Sequence, residues 1–156
     1  MACECCDVRD IERLLFRYAR CVDTADFDGL ADLFRHAKVY IGPDESLTGE
    51  GVAKLWRRVN RVHPDGTLRT RHVVTNIDVD IAENGEHAEV AAYFLVVQAT
   101  ESLPLQPIVA GSYADTFHKV DGKWAFETMR IALDLVGDVS EHLRIDLDAP
   151  PRATGN

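Results

Sequence analysis

Basic residues are scarce in this sequence. Its 17 Lys and Arg stand against 26 Asp and Glu, a formal net charge of −9. A nucleic-acid binder needs a basic face to neutralise phosphates, and an anionic membrane surface asks for the same, so the charge balance argues against both partners. Long apolar runs are missing as well. The longest, Val90–Val97, is far too short to span a bilayer. The N-terminus turns acidic early and has no apolar segment, so no signal peptide is read and a cytoplasmic location is expected. Cysteines are few: Cys3, Cys5 and Cys6 at the start and Cys21 within a helical pattern, which makes no disulfide framework. The Cys3-Glu4-Cys5-Cys6 cluster offers soft ligands but has no fourth one nearby, and is read as reduced thiols on a frayed end. Neither an internal repeat nor a low-complexity segment is visible. Nothing implies a metal, a nucleotide or a flavin.

What remains suits one globular domain: 156 residues, 46% hydrophobic and 28% charged. The expected division is a flexible N-terminus over 1–6, a single domain over 7–137 and a C-terminal tail over 138–156. Ile11, Leu14, Leu15, Tyr18 and Val22 form one apolar stripe, predicting a helix over Asp7–Cys21 with Asp7 as N-cap. Asp23-Thr24-Ala25-Asp26 breaks it, and Asp26 can cap a short second helix to about Phe34. Lys38–Ile41 is a short strand, Gly42-Pro43-Asp44 a turn, and Gly49–Arg61 a third helix with Val52, Leu55, Trp56 and Val59 on one side. Gly49-Glu50-Gly51 lacks the βαβ surroundings of a dinucleotide fingerprint.

From Arg69 onward the pattern is extended. Strands are predicted to Ile81, over Ala88–Thr100, over Ile108–Val120 and over Lys123–Val136, with hairpin turns at Asn84-Gly85 and Asp121-Gly122. The near-continuous apolar run of the second strand predicts cover on both faces. Helices followed by a meander of long strands mean an α+β fold, with helices packed on one face of a curved antiparallel sheet. Such a sheet leaves a concave interior suited to a small apolar ligand, with Trp56, Tyr93, Phe94, Leu95 and Val97 as candidate lining residues.

Within Thr70–Ile81, His72 is the residue best suited to proton transfer near neutral pH. Strict alternation, however, puts His72 with Val74, Asn76, Asp78 and Asp80, opposite the apolar set Val73, Ile77, Val79 and Ile81. A β-bulge near Thr75-Asn76 would reverse the parity and turn His72 inward. Asp23 ends the first helix, where a negative charge opposes the helix dipole. It is either a turn residue or a carboxylate that orients the histidine. Tyr18 is either core packing or a pocket hydroxyl. Arg130, a charge within an apolar strand, is either an exposed edge residue or an anchor for a leaving group. His36, His63, His87, His118 and His142 are read as surface residues.

Several short pieces occur in a characteristic order: Ile11…Arg17-Tyr18…Asp23, Leu33-Phe34, the Gly49 helix entry, Arg71-His72…Thr75-Asn76, Gly111-Ser112-Tyr113…Asp115…Phe117 and Asp121-Gly122-Lys123-Trp124. Over about residues 8–136 the chain thereby resembles the SnoaL-like branch of the nuclear transport factor 2-like superfamily. Within that branch it is most similar to the type that includes scytalone dehydratase, bile acid 7α-dehydratase and lindane dehydrochlorinase. The resemblance implies a cone-shaped α+β half-barrel closed by the N-terminal helices, commonly a homotrimer and sometimes a dimer. It also implies a deep apolar pocket with Asp23 and His72 as a catalytic dyad, assisted by Tyr18 and Arg130. The expected activity is a cofactor-independent lyase acting on a small hydrophobic cyclic substrate. A polyketide cyclase or double-bond isomerase would use the same pocket. A non-catalytic ligand-binding protein, or a dioxygenase β-subunit-like protein, would show no Asp23–His72 contact.

Overall fold

In the computed structural model, residues 4–145 are described. Three helices come first: α1 (Glu4–Asp23), α2 (Phe27–Leu33) and α3 (Gly49–Val59). Two short strands, β1 (Lys38–Tyr40) and β2 (Ser46–Leu47), lie between α2 and α3. Four long strands follow: β3 (Thr70–Ile81), β4 (His87–Gln98), β5 (Gln106–Val120) and β6 (Lys123–Val136). They form one six-stranded sheet of order β2-β1-β6-β5-β4-β3, antiparallel except for the parallel β1–β6 pair. This is the expected α+β architecture, with β2 and the parallel contact as additions. The short strand expected over Lys38–Ile41 is β1, whereas the two residues of β2 carry too little pattern to be read from sequence.

The helices lie on the concave face. Ile11, Leu15, Tyr18 and Val22 of α1 are buried with Leu30 of α2 and Val52 of α3, against Phe94, Phe117, Phe126 and Met129 of the sheet. Asp26 caps α2 by accepting the Gly29 N–H at 2.8 Å. The turn at Asp121-Gly122 has φ of 51° and 73°, the left-handed pair of a tight hairpin that glycine at the second position accommodates. No helix among the described residues is long and apolar enough to cross a membrane.

Three expectations need correction. Asp7 does not cap α1, because the helix already begins at Glu4. Its carboxylate instead accepts the Trp124 indole N–H at 2.7 Å and lies 3.5 Å from the Lys119 ammonium, tying α1 to the β5–β6 hairpin. Residues 4–6 are therefore helical rather than loose, with Cys5 and Cys6 exposed, while Cys3 lies outside the described residues. Strand β4 alternates rather than being covered twice: Ala92, Phe94 and Val96 are buried, Tyr93 is 58% exposed, and Leu95 and Val97 are half-buried. Tyr93, Leu95 and Val97 thus sit on the convex face, away from the concave interior they were expected to line.

The described part of the tail turns back. An isolated bridge pairs Leu143 with Asn60, the Arg61 N–H donates to the His142 carbonyl at 2.8 Å, and the Gln98 side-chain amide donates to the Glu141 carbonyl at 3.1 Å.

Candidate active site

The bulge anticipated in β3 is present. Pairing with β4 is regular from Thr70↔Gln98 to Thr75↔Tyr93 and resumes at Asp78↔Ala91, one residue out of step. Asn76 takes the extra step at φ 52°, in the left-handed region that asparagine tolerates better than most residues. Thr70, His72 and Val74 point inward before the bulge, and Ile77, Val79 and Ile81 after it. Val73, counted with the apolar face by simple alternation, is 47% exposed for the same reason.

The inward turn delivers His72 to the end of α1. His72 Nδ1 lies 2.6 Å from Asp23 Oδ1, and the His72 backbone N–H donates to Asp23 Oδ2 at 2.9 Å. The Thr70 hydroxyl donates to Asp23 Oδ1 at 2.7 Å, and the Leu68 N–H donates to the Asp23 backbone carbonyl at 3.1 Å. Both side chains of the pair are more than nine-tenths buried. Burial opposes ionisation of Asp23, but the hydrogen bonds and charge of His72 and the Thr70 hydroxyl outweigh it and hold its pKa below the usual value. An ionised Asp23 accepts the Nδ1 proton, so in the uncharged form of the ring the free lone pair is on Nε2.

His72 lines a cavity of about 480 Å³. The sheet contributes Phe94, Val96, Tyr113 and Ile131, the helices Tyr18, Val22, Leu55 and Trp56, and the returning tail His142 and Leu143. Most of these are apolar, as in sites that take small organic ligands. Tyr18 is edge-on to His72 at 6.4 Å between centroids and to Tyr113 at 6.0 Å, and Tyr113 stacks on Phe94 at 4.6 Å. Burial raises the Tyr18 pKa far above the ordinary phenol, with the nearby Trp56 indole opposing only part of the effect, so Tyr18 is a neutral hydroxyl. Gly111 on β5 makes room for this stack, since a Cβ there would collide with the Phe94 ring and the Ala132 carbonyl.

Of the expected site residues, the structure brings together Asp23, His72, Tyr18 and Trp56. Arg130 also borders the cavity, but its side chain is exposed and its guanidinium carbon lies 3.5 Å over the Tyr40 ring centroid. No hydrogen bond or ion pair joins that guanidinium to Asp23, His72 or Tyr18. Tyr93, Leu95 and Val97 take no part in the cavity.

Two residues not proposed for the site from sequence belong to its surroundings. Asp115 on β5 is 2% exposed; one oxygen accepts the Arg130 backbone N–H at 3.0 Å and the other has no partner among the described residues. Burial, opposed in part by that bond, raises its pKa to about 8, so it is mostly protonated at neutral pH. His142, expected at the surface, is buried and lines the cavity. For Asp115 the available signal was a charge within an inward-facing apolar strand; for His142 there was none.

A curved, antiparallel-dominated sheet wrapped on three helices, with a carboxylate–imidazole pair in its hollow, places the protein in the cystatin-like, nuclear transport factor 2-like class of α+β cones. Within it the chain belongs to the SnoaL-like domain family, which matches residues 4–130. Among solved structures it is similar to a candidate scytalone dehydratase from Novosphingobium aromaticivorans, with 28% identity, 85% of this chain and 87% of that one covered, and a TM-score of 0.66. A nuclear transport factor 2-like protein with a cystatin-like fold from the same organism is 19% identical, covering 86% of each chain at a TM-score of 0.67. LinA is 19% identical, covering 92% of this chain and 93% of its own at a TM-score of 0.64. Among curated proteins none matches the sequence.

Proposed function

We propose that the protein is a cofactor-independent lyase, of dehydratase or dehydrohalogenase type, acting on a small hydrophobic cyclic substrate. The observation that carries this reading is the 2.6 Å Asp23–His72 bond at the wall of an apolar cavity. His72 Nε2 removes a proton from a ring carbon, and Asp23 stabilises the imidazolium that forms. The C–H electron pair becomes the new double bond as the bond to hydroxide or halide breaks. Tyr18, neutral and buried, donates a hydrogen bond to the departing group or to a developing enolate oxygen. Arg130, which borders the cavity with an exposed side chain, would neutralise the anion as it leaves. Protonation of Asp115 keeps a second negative charge away from the Tyr18 hydroxyl. The candidate scytalone dehydratase among the similar structures supports the same class, and the Asp23–His72 contact is what a non-catalytic relative would lack.

The test is a panel of hydroxylated and halogenated ring compounds, with products followed by mass spectrometry. His72→Ala and Asp23→Asn are each expected to lower turnover by about 10²–10⁴-fold. Wild-type activity in either variant would sink the mechanism. Products that are rearranged without loss of water or halide would identify the same pair as serving an isomerase or cyclase.

We take the protein to be a homo-oligomer, with a trimer preferred to a dimer on the family resemblance alone; an apolar row on the convex face supports self-association. Val73, Leu95, Ala110 and Leu135 are successive cross-strand partners and form one apolar row there, with Val73 and Leu135 exposed.

A further inference from the structure

His142 stands on the segment after β6, and its backbone is held from both sides. Its N–H donates to the Val139 carbonyl at 2.9 Å, its carbonyl accepts the Arg61 N–H at 2.8 Å, and the Arg144 N–H donates to the Val59 carbonyl at 2.8 Å. The ring is therefore fixed beside the C-terminal end of α3, 7% exposed, and forms part of the cavity wall. Neither ring nitrogen has a hydrogen-bond partner among the described residues, and of the two only Nδ1 is sealed off.

We propose that His142 is a substrate-recognition residue whose Nε2–H donates a hydrogen bond to an oxygen of the ring compound held in the cavity. This rests on the cavity being the substrate site. A buried N–H without a partner is rarer in folded proteins than an acceptor with a spare lone pair. The proton of the neutral ring therefore belongs on Nε2, where a ligand can meet it, and the bare lone pair on the sealed Nδ1. Burial, and the nearby His72 and His63 rings, lower the His142 pKa to about 4 against the opposing pull of Asp23, so at neutral pH the ring is an uncharged donor. The cavity then carries two imidazoles of opposite polarity: His72 shows it a lone pair and His142 an N–H. A bare hydrocarbon leaves the His142 donor unsatisfied, whereas a carbonyl or hydroxyl oxygen satisfies it. The substrate class narrows to ring compounds that keep an oxygen apart from the carbon that loses its proton.

The probes are 1-tetralone and its hydrocarbon counterpart tetralin. In protein labelled with ¹⁵N-histidine, His142 should show a protonated Nε2 and a bare Nδ1 between pH 5.5 and 8. Tetralone should shift the Nε2 signal and tetralin should not. By titration calorimetry, the wild-type preference for tetralone over tetralin should fall about three- to tenfold in His142→Phe and be largely kept in His142→Gln, which retains an N–H donor. A proton on Nδ1, or an unchanged preference in His142→Phe, would overturn the assignment. Failure of both probes to bind the wild type would remove the apolar cavity as a ligand site and this assignment with it. Binding of both by His72→Ala with the preference intact would support the role of His142 whatever that variant does to catalysis.

Discussion

Asp23 accepts hydrogen bonds from the Thr70 hydroxyl, the His72 ring and the His72 backbone, and this set decides both its ionisation and the tautomer of its partner. Thr70 touches nothing in the cavity, so it is a positioning residue. Thr70→Val should lower kcat by roughly three- to tenfold with KM nearly unchanged, and steady-state kinetics on the best substrate of the panel would show this split. The two buried acids should also make stability respond to pH in opposite directions. Asp23 has a lowered folded pKa, so its contribution is present above the unfolded value and disappears as pH falls through the folded one. Asp115 has a folded pKa near 8 against an unfolded value near 3.9. Between these values the unfolded chain gives up a proton that the folded chain keeps, so Asp115 lowers stability as pH rises from about 4 to 8. Urea unfolding of Asp115→Asn should therefore match wild type near pH 4 and exceed it by about 1–3 kcal/mol near pH 8. An equal effect at both pH values would mean that Asp115 titrates in the folded protein as it does in the unfolded chain. From the residues alone the Asp23–His72 pair was one of two open readings and the resemblance decided it, because 49 residues separate them and no periodicity links a helix end to a strand start. Asp115 and His142 were not assigned, since a lone acid in a strand and a histidine in an unpatterned tail read as surface until the chain is folded.

At the scale of elements the bulge in β3 decides the chemistry. One extra residue lets the first half of the strand aim its even-numbered side chains inward while the second half aims its odd-numbered ones. Deleting Asn76 should restore continuous alternation and turn His72 to the convex face, leaving a folded protein by circular dichroism with no measurable turnover. Substituting Asn76 tests the backbone alone. Asn76→Gly should be neutral within about 0.5 kcal/mol, whereas Asn76→Val, β-branched at positive φ, should cost about 1–2 kcal/mol in urea unfolding. The bulge was legible because the apolar pattern and the placement of His72 disagreed, a conflict that sequence periodicity can register. The inward residues of β4 were misjudged for the converse reason. Tyr93, Leu95 and Val97 are as apolar as their buried neighbours, and composition cannot tell two faces of a strand apart when neither is polar.

At the scale of the molecule the order and type of the long elements were legible, because each carries a clear period over ten residues or more. Strand β2, the parallel pairing of β1 and the return of the tail were not, because none of them has a pattern of its own. The same apolarity that obscured the faces of β4 leaves a row of hydrophobic side chains on the convex side, which a second copy of the chain would cover. Light scattering after size exclusion should show a trimer or dimer for the wild type and a monomer for Leu135→Asp combined with Val73→Lys. A wild-type monomer at micromolar concentration would dispose of the oligomer.

The clamp that joins residue 23 to residues 68–72 also bears on how the chain acquires activity. It closes a loop of more than forty residues whose intervening parts, α2, β1, β2 and α3, must find their places as well. Contacts of such sequence separation are costly in chain entropy and form after local ones. The pair therefore forms only when both ends of that loop are in place, and it has no counterpart in an isolated fragment. Turnover is therefore a built-in reporter of global integrity: its loss with denaturant should coincide with the cooperative transition or precede it, and no truncated piece lacking either α1 or β3 should retain any.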